Sequence, residues 1–294
     1  MAIKKAVIPV AGHGTRLLPS TKSQPKEMLP VGRKPVVQYV VEEMESAGLN
    51  QILFVTGRKK RSIENHFDKD VELLQELHRS GKSNLIEEMK YQELDVSFYY
   101  VRQSVQKGLA DAISLARDWV AKDNFVCSLG DSIIRSTHSG KSLMKRMMQV
   151  HKERKAACTL AIERVPAEDV YRYGIAKVKT EEASGVFEVK SLVEKPNVEE
   201  APSDLAIAAR YVFSPDIFQA IEMTLPDKGG ELQITDSIGL LIKKGLPVYA
   251  VLLAENEQRY DIGNYESYFK AFVDFALQDE KYGHMLRHYL TRKL

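Results

Sequence analysis

Residues 6–30 read Ala6-Val7-Ile8-Pro9-Val10-Ala11-Gly12-His13-Gly14-Thr15-Arg16-Leu17-Leu18-Pro19-Ser20-Thr21-Lys22-Ser23-Gln24-Pro25-Lys26-Glu27-Met28-Leu29-Pro30. The apolar run Ala6–Val10 has the length of one buried strand and stops at Ala11-Gly12-His13-Gly14, where the backbone loses its side-chain restraint. Two glycines let main-chain N–H groups approach an anion, and Arg16, Lys22 and Lys26 follow within reach of a polyphosphate. The stretch therefore reads as a strand feeding a basic phosphate loop. It is neither of the two commoner glycine loops. A Walker A loop needs Gly-Lys-Ser/Thr where Gly14-Thr15-Arg16 stands, and a dinucleotide fingerprint needs a small residue where Leu17 stands.

Outward from the loop, Val36, Val37, Val40, Val41, Met44 and Ala47 recur at helical spacing, and Gly48 ends the run. Ile52–Thr56 and Val96–Val101 are predicted strands flanking a charged, helical stretch over 59–94. Ala112, Ile113, Ala116, Trp119 and Val120 share one helical face, and the strand Phe125–Leu129 ends at Gly130-Asp131. Strands alternating with helices at this spacing imply parallel βαβ units, whose ligands gather at the carboxyl ends of the strands. Gly12 and Asp131 both fall at such ends. Past residue 155 the texture becomes β-rich, with strands predicted at Cys158–Glu163, Tyr173–Lys179, Val186–Val193 and Ile207–Phe213, then a helix over Gln233–Lys244. Tyr265, Tyr268, Phe269, Phe272 and Ala276 make a C-terminal aromatic stripe suited to core or subunit contact.

The chain has 294 residues, 44% hydrophobic and 28% charged, with a net charge of +2. That balance suits a globular α/β protein and excludes a nucleic-acid wrap or an adhesive membrane surface. The cluster Arg58-Lys59-Lys60-Arg61 precedes Glu64 and Asp68 and reads as a solvated helix start. Cys127 and Cys158 lie in apolar runs without metal-ligand spacing and are expected as small core residues. No secretory leader or membrane span is apparent, so the expected location is cytoplasmic.

The string Gly-x-Gly-Thr-Arg-x-x-Pro, followed by Pro25-Lys26-Glu27-Met28-Leu29-Pro30, resembles the signature of the sugar-nucleotidyltransferase superfamily, most closely the bacterial UTP:glucose-1-phosphate uridylyltransferases. The resemblance runs from residue 3 to about 275, through Val55-Thr56-Gly57-Arg58 and Gly230-Glu231-Leu232-Gln233-Ile234-Thr235-Asp236. It implies a Rossmann-like, mixed and mostly parallel central sheet flanked by helices. One domain would span 1–294, with a nucleotide-binding half (1–135), a β-rich sugar-phosphate half (136–263) and C-terminal helices (264–294). Uridylyl transfer from UTP to glucose-1-phosphate is the implied activity, with Mg²⁺ as cofactor and a homodimer or homotetramer as the assembly.

Residue by residue, the resemblance places Ala11 and Gly12 at the nucleoside, Gly14, Thr15 and Arg16 at the β and γ phosphates, and Lys26 at the α-phosphate. Gln103 and Gly108 match the base-reading segment, Asp131 and Asp261 the Mg²⁺ carboxylates, and Gly174, Glu194 and Lys195 the sugar-phosphate site. Arg16, Lys26 and Lys195 are the implied catalytic cations. His13 occupies a variable loop position and is a bystander. The chain departs from the pattern at Ser132, which follows Asp131 in place of a second aspartate, and at Ala110-Asp111, where Gly-His is usual. It departs again at Ala209, where glycine is usual. Ala110 matches the thymidylyltransferase branch, so dTTP, or another sugar phosphate, is the alternative substrate. A nucleotide-sugar-binding regulatory protein without turnover is the alternative from another class.

Overall fold

The computed structural model describes residues 2–136, 141–183 and 185–293. Met1, residues 137–140, residue 184 and Leu294, which fall within the three expected segments, lie outside the described residues. One nine-stranded sheet carries the fold: β1 (Lys5–Pro9), β2 (Gln51–Thr56), β3 (Ser97–Arg102), β4 (Phe125–Ser128), β5 (Cys158–Arg164), β6 (Gly174–Ala183), β7 (Val186–Glu194), β8 (Leu205–Phe213) and β9 (Val248–Leu252). The spatial order is β3-β2-β1-β4-β8-β5-β9-β7-β6. Only β7 and β8 run against the remaining strands, so the sheet is mixed but mostly parallel, and its first four strands are parallel throughout.

The continuous apolar run of β1 follows from burial on both faces. Val7 packs with Leu53, Val55, Phe125 and Cys127 on one side, while Ala6 and Ile8 pack with Ile52, Phe54 and Val126 on the other. Successive side chains of a strand point to opposite faces, so a strand covered on both sides has no polar position to offer. Helix α1 (Val36–Ser46) lays Val37, Val40, Val41 and Met44 on the second of these cores. It ends where Gly48 takes φ +90° and the Leu49 N–H donates to the Met44 carbonyl at 3.1 Å, a left-handed C-terminal cap. Between residues 109 and 120 the predicted single helix is two short ones, α2 (Leu109–Ser114) and α3 (Arg117–Val120). Its apolar face is nonetheless buried at Ala112, Ile113, Ala116 and Val120. Cys127 and Cys158 are both in the core, and burial pushes both thiols up.

Beyond the main sheet, Ser132–Ser136 pairs antiparallel with Glu257–Asp261, setting Asp261 opposite Ser132. The C-terminal helix Tyr265–Leu277, capped by the Asn264 side chain accepting from the Ser267 N–H at 3.0 Å, folds back over the loop of residues 14–30. Tyr265 and Tyr268 pack there with Leu17, Leu29 and Ile262, and their hydroxyls donate to the Leu17 and Pro30 carbonyls, each at 3.0 Å. Two of the stripe's five residues thus pack against the core. Phe269 and Phe272 remain exposed.

Arg210 ties these layers together. Its side chain is fully buried; Nε and Nη2 donate to both oxygens of Glu43 on α1, and Nη2 also donates to the Ser132 carbonyl at 2.7 Å. Removing one partner of a buried, hydrogen-bonded ion pair leaves an uncompensated charge, at a cost of about 3–5 kcal/mol. Glu43→Ala is therefore expected to lower the stability measured by urea unfolding by about that amount, with the slope of the transition unchanged; a loss under about 1 kcal/mol, the worth of a surface pair, would contradict it.

Candidate active site

At the carboxyl end of β1 the loop opens at Gly14, whose φ of +68° is a left-handed conformation that a side chain resists. The Thr21 hydroxyl donates to the Gly14 carbonyl at 2.7 Å and fixes the loop's curvature. Lys26 returns the chain to the strand ends: its ammonium lies 4.0 Å from where a Cβ on Gly12 would stand and pairs with the Asp131 carboxylate just beyond β4. Both side chains are 17% exposed. The Ile262 N–H donates to the Asp131 carbonyl at 2.9 Å, so the small antiparallel pairing delivers Asp261 beside Asp131. Arg16 completes the group, with Nη2 and both Asp261 carboxylate oxygens crowding the same face of Gly263.

The electrostatics follow from two carboxylates sharing one partly buried place. Burial and the Asp131 charge hold Asp261 above the ordinary carboxylate range, against the opposing pull of Arg259, Lys26 and Arg16. Burial alone would raise Asp131 too, but the Lys26 ammonium overrides it and holds the carboxyl below its ordinary value. Burial likewise would lower Lys26, yet Asp131, Glu27 and Asp261 keep it above the usual lysine value. Behind this group stands a second pair, Lys60 Nζ to Glu27 Oε2 at 2.8 Å, 6% and 2% exposed. Lys60 is therefore no solvated helix start. The charge of Glu27 compels a buried partner, and Arg58 and Lys59 alone of the cluster's first three residues face solvent. A hollow of about 270 Å³ beside them is lined by Gly12, His13, Lys22, Arg58, Lys59 and Gln106.

The base-reading candidates sit two strands from β1, after β3. The Gln103 N–H donates to the Thr56 carbonyl at 2.9 Å, and its side chain is buried. Gly108 takes φ +98°, and a Cβ there would fall 2.6 Å from the Leu232 carbonyl oxygen. Gln106 links this segment to the loop by donating to the Ala11 carbonyl at 3.4 Å.

The sugar-site candidates form a third group at the base of the β6–β7 hairpin, which reaches β8 through the pairing of Ala206 with Ile175. Glu194 lies opposite Gly174 in register and accepts from the Thr235 hydroxyl at 2.6 Å. Lys195 holds φ +43°, its N–H donates to the Tyr173 carbonyl at 3.0 Å, and its ammonium rests 3.1 Å from Glu194 rather than on the Asp131 group. Arg259 joins the two groups: it pairs with Glu163, lies 4.6 Å over the Tyr173 ring, and its charge acts on Asp261. Sequence reading gave no role to Arg259, Glu163 or the Lys60–Glu27 pair, and placed Thr235 in a matching string without one. The signal available was the position of Arg259 two residues before Asp261. Ala209 explains itself: it stands at φ +57° in a bulged stretch of β8, a conformation costing a non-glycine residue about 1–2 kcal/mol, which is why glycine suits that place.

The repulsion at Asp261 has a measurable sign. Its folded pKa lies above the ordinary 3.8, so the folded protein bears a penalty above the raised pKa and sheds it as the pH falls through that value. In chelator at pH 7.5, Asp261→Asn is expected to melt at a higher temperature than the parent. The gap should close as the pH falls toward 3.8. A variant less stable at neutral pH would contradict the raised pKa.

Comparison with known proteins places the chain in a family. The nucleotidyl transferase family model matches residues 5–278. A UTP–glucose-1-phosphate uridylyltransferase of Streptococcus pyogenes is 40% identical over 291 residues, 99% of this chain and 94% of that protein. The UTP-bound enzyme of Acinetobacter baumannii superposes with a TM-score of 0.89 at 36% identity, covering 98% of this chain and 99% of that one. A UDP-glucose pyrophosphorylase complexed with UDP-glucose gives 0.84 at 38%, covering 93% and 98%. The match along nearly the whole chain makes this protein a member of the nucleotidyltransferase family, of the UTP–glucose-1-phosphate uridylyltransferase kind.

Proposed function

We propose that this chain transfers the uridylyl group of UTP to glucose-1-phosphate, giving UDP-glucose and pyrophosphate. The observation that carries the reading is the convergence of Arg16 and Lys26 on the Asp131–Asp261 pair at the strand ends. An oxygen of the sugar phosphate attacks the α-phosphorus, the bond from that phosphorus to the α–β bridging oxygen breaks, and pyrophosphate leaves. The attacking oxygen is already anionic, so no general base is needed. The protein's task is to hold the partners in line and offset their charge.

Each group takes one part. Ala11 and Gly12 meet the nucleoside, Gly14, Thr15 and Arg16 cradle the β and γ phosphates, and Gln103 with Gly108 holds the base. Lys26 moves from Asp131 to the α-phosphate when the triphosphate brings a stronger anion. Lys195 grips the sugar phosphate while Glu194, already held by Thr235, accepts from sugar hydroxyls beside Gly174. Asp131 and Asp261 suit Mg²⁺. They are two carboxylates in one place, which fits an ion that takes one or two carboxylates and completes its shell with substrate phosphates and water. When bound, Mg²⁺ supplies charge neutralisation on the triphosphate.

The half-and-half division at residue 135, with helices after 264, is the domain arrangement we assign. The exposed Phe269 and Phe272 support a homodimer or homotetramer using the C-terminal helix. No helix among the described residues is long and apolar enough to cross a membrane, and a cytoplasmic site of action fits a nucleoside triphosphate substrate.

Pyrophosphate release with Mg²⁺, glucose-1-phosphate and UTP tests the reading. The expected result is turnover with UTP in excess of that with dTTP, and a fall of about 10²–10³ in kcat for Asp131→Asn with UTP affinity within about threefold. Binding of UDP-glucose without pyrophosphate release from any pair would favour the binding-protein reading instead.

A further inference from the structure

Gln103 carries one side-chain amide with two N–H donors and one acceptor oxygen. Both donors are committed. Nε2 lies 2.7 Å from Asp111 Oδ2 and 3.2 Å from the Gly108 carbonyl oxygen. A carboxylate and a carbonyl only accept, so the opposite amide orientation would set Oε1 against two acceptors. Oε1 is therefore the atom Gln103 has left to offer.

Asp111 is itself held in place. It stands in the first turn of α2, where the following turn returns the Ser114 hydroxyl to the Asp111 carbonyl at 2.7 Å. The Ala110 N–H donates to the Leu232 carbonyl at 3.0 Å, and the Leu232 N–H to the Lys107 carbonyl at 2.8 Å. The Gly108 carbonyl is fixed by the same strut, since Gly108 fits against Leu232 with no room for a Cβ.

We infer that Asp111 is a positioning residue for base selection, locking the Gln103 amide so that Oε1 accepts from the N3–H of the bound pyrimidine. The inference rests on the proposed function, in which Gln103 faces the base of UTP. Uracil joined to ribose through N1 has one N–H left, at N3, so an acceptor aimed at it has one partner. Cytosine presents a lone pair at N3, which Oε1 repels. Thymine keeps the N3–H, so Asp111 excludes cytosine and is indifferent to the methyl group that separates thymine from uracil. The departure Ala110-Asp111 thus sets the hydrogen-bond polarity of the pocket and leaves the choice between UTP and dTTP to other contacts.

The test compares kcat and KM for UTP, dTTP and CTP, with glucose-1-phosphate and Mg²⁺, in the full chain and in Asp111→Ala, Asp111→Asn and Gln103→Ala. For Asp111→Ala the expected result is a rise of about tenfold in KM for UTP with kcat within about threefold, and a fall of about tenfold in the preference for UTP over CTP. Its preference for UTP over dTTP stays as in the parent. Asp111→Asn keeps an acceptor oxygen within reach of Nε2 and should restore the UTP-over-CTP preference to within about threefold of the parent. If Asp111→Ala does not fold, Asp111→Ser, whose hydroxyl is too short to reach Nε2, repeats the measurement. Parallel losses for UTP and CTP in Asp111→Ala, with Gln103→Ala losing the preference, would overturn the inference alone. A Gln103→Ala variant that keeps the full preference for UTP over CTP would instead overturn the placement of Gln103 at the base.

Discussion

Two carboxylates that repel one another are held side by side because a short antiparallel pairing brings the end of Glu257–Asp261 against the start of Ser132–Ser136. Asp131 arrives from β4 and Asp261 from the far end of the chain, and the Ile262-to-Asp131 hydrogen bond closes the register between them. A one-residue slip would turn Asp261 to the other face of its strand. Much of the surrounding structure serves that register. Arg210 clamps the Ser132 carbonyl to α1 through Glu43, and the C-terminal helix that follows Asp261 braces the phosphate loop through Tyr265 and Tyr268.

The unfavourable pair is tolerated because cations surround it. Lys26 lies on Asp131, Arg16 and Arg259 act on Asp261, and Lys60 answers Glu27 one residue along. These cations are placed differently. Lys60 and Arg259 are buried against their own carboxylates, Glu27 and Glu163, and so are structural. Arg16 is exposed, and Lys26 is partly exposed, so both remain available to an incoming anion. The division between fixed and available charge matches phosphoryl-group chemistry, where positioned charge supplies most of the catalysis.

The sequence made legible whatever is written locally. The β1–loop junction, the apolar face of α1, the strand end at Asp131 and the core cysteines each follow from a pattern within about 15 residues, and the structure has them where the pattern puts them. What was not legible depends on partners far apart in the chain. Nothing near Lys60 announces Glu27, and Lys60 sits inside a basic run that reads as solvated. Arg259 is one charged residue among polar neighbours until β5 supplies Glu163. The break between α2 and α3 leaves the helical period almost intact, so periodicity alone joins them. The bulge at Ala209 has no local signal in alanine itself, and only the family's preference for glycine pointed there.

In the proposed reaction Asp131 and Asp261 together would hold a divalent cation beside the triphosphate. Crystals grown with Mn²⁺ and a non-hydrolysable UTP analogue, examined by anomalous scattering, test it directly. The expected result is an anomalous peak within about 2–2.3 Å of an oxygen from each carboxylate, the range of hard-cation contacts, with the Lys26 ammonium displaced from Asp131 toward the α-phosphate. A peak held by the nucleotide alone, with Lys26 still on Asp131, would contradict it.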